Sequence, residues 1–186
     1  PTVIDREAGA AGLQTTFFER LNQRHGEAIT RMLTVQYRMH EALLQFPSDS
    51  MYGGRLQTDA SVKTRMLTDL PNVKPDAERP GSWVFIDTAG AGFEEEQEAE
   101  DASLRNPGQA ECTAREIRRL LARGLDPKQL AAITPYSAQA KLLRGLLHAE
   151  VAQGLEIGTV DGFQGREKEA VVVDFVRSNR QGEVGF

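Results

Sequence analysis

Short apolar runs alternate with amphipathic stretches along the chain, and this alternation predicts strands and helices in turn. Residues Thr15 to Arg24 read as a helix with Phe17, Phe18 and Leu21 on one side, and Met32-Leu33-Thr34-Val35 as a short strand. His40 to Phe46 reads as a helix that Pro47 stops. Gly53-Gly54, Leu70-Pro71 and Pro75 break the pattern over about 48–80, which is expected to be an irregular excursion. Trp83-Val84-Phe85-Ile86-Asp87 has the composition of a buried strand. Asn106-Pro107-Gly108-Gln109 then offers an N-cap, a Pro at the first helical position and a Gln three residues past the cap. Ala110, Ala114, Ile117 and Leu121 continue that helix at three- or four-residue spacing, and Gly124 ends it. Leu130-Ala131-Ala132-Ile133-Thr134 predicts a strand. After it, Ser137 is expected to cap a helix with Ala138, Leu142, Leu143, Leu146 and Leu147 as its apolar stripe. Ile157 to Val160 and Ala170 to Val176 are the last two predicted strands, apolar on both parities.

Strands of this length joined by crossover helices imply an α/β domain whose parallel sheet carries helices on both faces. In such sheets ligands sit beyond the carboxyl ends of the strands. Function is therefore expected just after Val35, Asp87, Thr134, Val160 and Val176.

Composition narrows the class. A length of 186 residues, 40% hydrophobic content and 26% charged residues describe one globular domain. The longest strongly apolar stretch, Ala170 to Val173, is closed by Asp174, so no transmembrane helix is expected. Cys112 is the lone cysteine and only three histidines occur, which excludes an internal disulfide and a Cys/His metal cluster and points to a reducing, cytoplasmic or nuclear setting. The formal charge is -5, but residues 94–101 hold six of the 27 acids, leaving 21 against 22 bases elsewhere. That acidic run is expected to form a solvated loop over about 90–105. The absence of a basic field argues mildly against a nucleic-acid partner. With no initiating Met and no leader pattern, the sequence reads as a piece of a longer chain.

Three of the five strand ends carry unusual polar clusters. After the first strand, Gln36-Tyr37-Arg38-Met39-His40 presents an aromatic face beside a guanidinium. This suits an anion, and its other reading is a strand-end Arg paired with Glu41 or another carboxylate beside a Tyr packed at the core rim. After the third, Pro135-Tyr136-Ser137 combines a fixed turn, a ring able to stack and a helix N-terminus, or is simply a capped turn. The tract Thr159 to Glu169 is dense in groups that bond phosphate, ribose or metal, and a solvated surface loop is its other reading.

The segments LTVQYRMH (Leu33 to His40), ITPYSAQ (Ile133 to Gln139) and TVDGFQGREKEAVVVDFVRSN (Thr159 to Asn179) resemble the second RecA-like domain of superfamily 1 helicases. The subgroup is that of the nonsense-decay helicase, senataxin and the Smubp helicases, with the Smubp type most similar. MYGGRL, LTDLP, RNPGQ and the ending RSNRQGEVGF extend the resemblance over nearly the whole chain. A Walker A loop, GxxxxGK followed by Ser or Thr, occurs nowhere in it, nor does a DE-type Walker B strand.

The resemblance implies a partial C-terminal RecA-like domain over residues 1–186. ATP with Mg2+ would bind between it and a first RecA-like domain of the same protein, and single-stranded RNA or DNA would cross both, with no membrane involved. Arg38 matches the arginine that reaches the γ-phosphate, and Tyr37 the aromatic beside the nucleotide base. Glu167 matches an acidic residue near the ribose, with Gly165 and Arg166 shaping that edge. Thr134, Pro135 and Tyr136 match a turn that contacts nucleic-acid backbone and bases, Thr159 a phosphate-bonding hydroxyl, and Asp161 and Gln164 the polar coupling between the two sites. The implied activity is an ATP-dependent helicase or translocase, with this chain inactive when isolated. The competing readings are a nucleic-acid-binding or regulatory module without ATPase function, and a small-ligand α/β enzyme.

Overall fold

The computed structural model describes residues 3–97, 102–179 and 181–183. The end of the acidic run, 98–101, and residues 180 and 184–186 of the closing tract lie outside the described residues. The chain divides into two compact units, Pro1–Lys63 and Thr64–Phe186.

The first unit contains α1 (Arg6–Ala8), α2 (Phe17–His25), β1 (Val35–Gln36), α3 (Glu41–Tyr52) and β2 (Gln57–Thr58). A capping box starts α2: the Glu19 amide donates to Thr16 Oγ1 at 3.1 Å and the Thr16 amide to Glu19 Oε2 at 2.6 Å. Phe17 and Phe18 are exposed, so the expected apolar face of this helix is not a core face. Of the strand expected over Met32 to Val35 only Val35 is paired, because β1 takes β2 as a two-residue parallel partner. Helix α3 also departs from expectation by running through Pro47 to Tyr52. Pro47 removes one intrahelical hydrogen bond. The buried Leu44 and Ser48 on either side of it anchor the helix, Ser48 Oγ donates to the Leu56 carbonyl at 3.1 Å, and Gly53 closes the helix in the left-handed region with φ 58°.

The second unit holds β3 (Glu96–Gln97), β4 (Leu104–Arg105), α4 (Pro107–Ala122), β5 (Leu130–Thr134), α5 (Ser137–Leu146), α6 (His148–Ala152), β6 (Glu156–Thr159) and β7 (Ala170–Val173). Strands β6, β5 and β7 lie in that order as one parallel sheet, and β3 pairs antiparallel with β4. The registers Thr134↔Thr159 and Ile133↔Val173 bring three strand ends to one edge. The core packs Ala110, Ala114 and Ile117 of α4 and Leu143 of α5 against Leu130, Ala132 and Ile157 of the sheet. These residues share one sheet face; on the other, Ala131 of the central strand is fully buried while Val171 and Val173 of the edge strand stay exposed.

Two further expectations fail for stated reasons. Trp83 to Asp87 forms no strand and its four apolar side chains are exposed. An apolar run needs a ladder partner as well as a core, and the sheet β6-β5-β7 takes this segment up on neither outer edge. Strand β7 ends at Val173 rather than Val176, because Asp174 makes one more sheet bond, to the Ile133 carbonyl at 2.9 Å, before Val176 turns to φ 68°.

The later part of the irregular excursion is tied to α4. The Asp76 carboxylate bonds Arg119 at 2.8 Å, and the Lys74 amide donates to the Arg123 carbonyl at 2.8 Å. Gly124, with φ 101°, permits the close approach of Asn72, whose carbonyl oxygen a Cβ there would overlap.

Candidate functional site

In the first unit one side chain builds the turn after β1. Gln36 Oε1 accepts from the amides of Arg38 and Met39 at 2.8 and 2.9 Å, while its Nε2 donates to the Met39 carbonyl at 2.6 Å and to Thr58 Oγ1 at 3.0 Å. A single amide thus satisfies both strands and the turn, and directs the next two side chains outward. Tyr37 is 66% exposed, so it is not packed at a core rim, and Arg38 is exposed as well. Glu41, the carboxylate nearest in sequence, pairs with Lys63 at 3.3 Å.

In the second unit the strand ends supply three groups of residues. At the end of β5, Thr134 is fully buried and its hydroxyl has no hydrogen-bond partner among the described residues. Pro135 is half-buried, and Tyr136 is only 9% exposed, its hydroxyl 3.3 Å from Arg177 Nη1. Ser137 does not cap α5 as expected; it is the first helical residue, and the Ala138 amide donates at 3.1 Å to Ser103 Oγ from the segment before β4. That contact takes up an N–H group expected to be open to a phosphate.

At the end of β6, Thr159 Oγ1 accepts from the Gly162 amide at 3.3 Å, fixing the turn Asp161–Phe163. Phe163 is buried beneath this turn, whereas Asp161, Gln164, Gly165, Arg166 and Glu167 are exposed. Gly165, at φ 80°, reverses the chain. Arg166 lies back over the Phe163 ring at 5.5 Å and pairs with Glu156 at 2.8 Å. Lys168, at 2.6 Å, joins the same carboxylate; first Lys168 and then Arg166 hold the Glu156 carboxyl below its ordinary pKa.

Behind β7 lies a network that sequence reasoning missed. Asp174 accepts from Gln139 Nε2 at 2.7 Å, Thr113 Oγ1 at 3.0 Å and the Val176 amide at 3.1 Å. Burial pushes the Asp174 carboxyl pKa up against the pull of these donors. Gln139 also exchanges two bonds with the Asn106 backbone, at 2.8 and 3.2 Å, and Asn106 Nδ2 donates to the Val176 carbonyl at 3.1 Å. The available signals were a cap candidate at Asn106, Gln139 inside a quoted motif and an Asp closing an apolar run.

Beyond it, Arg177, Ser178 and Asn179 all bond the Glu95 carboxylate, another arrangement that sequence spacing does not reveal. Among the described residues no group of three or more His, Cys, Asp or Glu is placed to hold a metal ion, and no helix is long and apolar enough to cross a membrane.

A family model described as an AAA domain matches residues 13–186. The chain is 46% identical over 186 residues to the DNA-binding protein SMUBP-2 of Rattus norvegicus, covering 100% of this chain and 19% of that protein. It is 40% identical over 177 residues to the DNA polymerase alpha-associated DNA helicase A of Schizosaccharomyces pombe, with coverages of 92% and 26%. With a regulator of nonsense transcripts 1 homolog of Drosophila melanogaster it shares 38% identity over 193 residues, with coverages of 100% and 16%. The chain therefore spans only 16% to 26% of the length of these three relatives.

Proposed function

The chain belongs to the AAA-domain family of superfamily 1 helicases, and on that footing we propose that it forms one wall of an ATP site and one wall of a single-strand channel in a longer helicase or translocase. The observation that carries this reading is the Gln36-braced turn, which leaves the Tyr37 ring and the Arg38 side chain exposed at a strand end. Exposing both has no packing benefit, and the pair fits a nucleotide: the ring suits a base, the guanidinium a phosphate.

ATP, when bound, supplies a γ-phosphoryl group whose transfer to water spreads negative charge over its equatorial oxygens. Arg38 is the group of this chain that donates to those oxygens. Because it reaches a phosphate cradled by the first RecA-like domain, its contact forms only when the domains close, which couples closure to hydrolysis. Glu167, with Gly165 and Arg166, accounts for the ribose edge in the same reading. Mg2+ would be shared with the first RecA-like domain. The isolated chain, without a Walker A loop, is then inactive.

On the nucleic-acid side, Thr134, Pro135, Tyr136, Thr159, Asp161 and Gln164 are assigned to the strand, through phosphate contacts and stacking that carry no base code. Thr134 is fully buried and Tyr136 nearly so, and both need uncovering before a strand can meet them. A labelled single strand titrated at several salt concentrations tests the assignment. Binding is expected to be weak and to fall steeply with salt, and Tyr136→Ala to cost a further ~1–3 kcal/mol. Salt-insensitive or sequence-selective binding would contradict it.

A further inference from the structure

Three donors converge on one carboxylate at the edge where β5 and β7 end. Glu95 Oε2 accepts from Arg177 Nε at 3.1 Å and from the Ser178 amide at 2.6 Å, and Glu95 Oε1 accepts from Asn179 Nδ2 at 3.1 Å. The Arg177 and Glu95 side chains are only 16% and 12% exposed, so this is no casual surface pair. Arg177 also lies 3.6 Å from Glu183 and 3.3 Å from the Tyr136 hydroxyl, which joins the cluster to the proposed stacking residue.

The backbone that aims these donors is strained and firmly held. Val176 is fully buried at φ 68°, a region that a β-branched residue rarely enters. Its amide is shared by Gln109 Oε1 at 2.9 Å and Asp174 Oδ1 at 3.1 Å, its carbonyl accepts from Asn106 Nδ2, and the Arg177 amide donates to the Phe175 carbonyl at 2.7 Å. Strain maintained by this many contacts is the mark of a functional turn, and here it orients an arginine, a backbone N–H and an amide toward one point.

We infer that Arg177, the Ser178 amide and Asn179 form a phosphate site for the backbone of single-stranded nucleic acid, and that the Glu95 carboxylate occupies it as an internal stand-in which an incoming strand displaces. A guanidinium with two N–H donors is as well matched to a phosphodiester as to a carboxylate, and each ligand carries one negative charge, so the exchange preserves the charge balance of the site. Glu95 is the second residue of a tract holding six acids within residues 94–101, which an arriving polyanion repels. The strap is thus weakest when the strand is near.

The inference rests on the nucleic-acid reading of this edge, and its test separates the two. Fluorescently labelled oligo(dT) is titrated into the full-length protein and its Glu95→Gln, Arg177→Ala and double variants, with ATP titrated in parallel. Glu95→Gln is expected to tighten strand binding about three- to tenfold at low salt, and Arg177→Ala to abolish that gain. Strand binding by the wild type with no gain in Glu95→Gln overturns this inference and leaves the wider reading intact. Failure of every form to bind the strand overturns both, and a gain for ATP alone reassigns the site to nucleotide phosphate and overturns the inference. Hydrogen exchange on the wild type requires no variant to fold. Strand binding should deprotect the Glu95 amide, which donates to the Ser178 carbonyl at 3.1 Å, while the Ser178 amide stays protected. Unchanged protection at Glu95 in the saturated complex counts against the exchange.

Discussion

Asp174 shows how one buried charge shapes the strand end. Its three donors, Thr113, Gln139 and the Val176 amide, are all neutral, so burial outweighs them and raises the carboxyl pKa above 3.8, its ordinary value. The folded state therefore keeps its proton to higher pH than the unfolded state does, and stability falls as pH rises from that ordinary value through the raised one. Asp174→Ala removes an acceptor from three donors, of which the Val176 amide keeps Gln109 and Gln139 Nε2 keeps the Asn106 carbonyl, and is expected to cost about 1–3 kcal/mol in urea unfolding. It also abolishes this titration, so the deficit relative to wild type should be largest in acid and shrink toward neutral pH. A deficit that grows with pH would mean that the carboxylate is stabilised as an ion and that its pKa is lowered.

At the scale of elements, α4 is held at its start by one residue with two duties. Asn106 Oδ1 accepts from the Gln109 amide at 3.0 Å as an N-cap, while Asn106 Nδ2 donates to the Val176 carbonyl of the strained turn. Asn106→Ala loses the cap and leaves a buried carbonyl unsatisfied, an expected cost of about 2–4 kcal/mol in chemical denaturation. Asn106→Asp keeps the cap but turns an oxygen on that carbonyl, so it should rescue only part. Full recovery in the Asp variant would limit Asn106 to capping.

The same helix shows what was legible in the sequence. Its cap, Pro and terminating Gly are local signals, and they located it to within a residue or two, as they did β5 and β6. What depends on distant partners was not legible. Trp83 to Asp87 has strand composition without a ladder, α3 outlasts Pro47 through its buried side chains, and Ser103 rather than Ser137 meets the first free amide of α5. Among the candidate site residues, Tyr37 and Arg38 are exposed at a strand end. Thr134 and Tyr136 are buried, because residues remote in sequence pack over them, and Glu95 leaves its acidic run to join Arg177.

At the scale of the molecule, the two units carry different halves of the proposed machinery. Tyr37 and Arg38 belong to Pro1–Lys63, whereas the strand-facing residues and Glu167 belong to Thr64–Phe186. The chemistry proposed for the whole assigns the Arg38 guanidinium to turnover, and Arg38 stands exposed on a turn that Gln36 holds through the backbone. The decisive measurement pairs strand-stimulated ATP turnover with thermal unfolding on full-length Arg38→Ala. A transition-state contact predicts that kcat falls by at least about two orders of magnitude with the melting temperature unchanged, and that Arg38→Lys recovers little, because a point charge lacks the planar, multidentate fit. A normal kcat with a lowered melting temperature would make Arg38 a structural ion-pair partner and contradict the assignment of this turn to ATP hydrolysis.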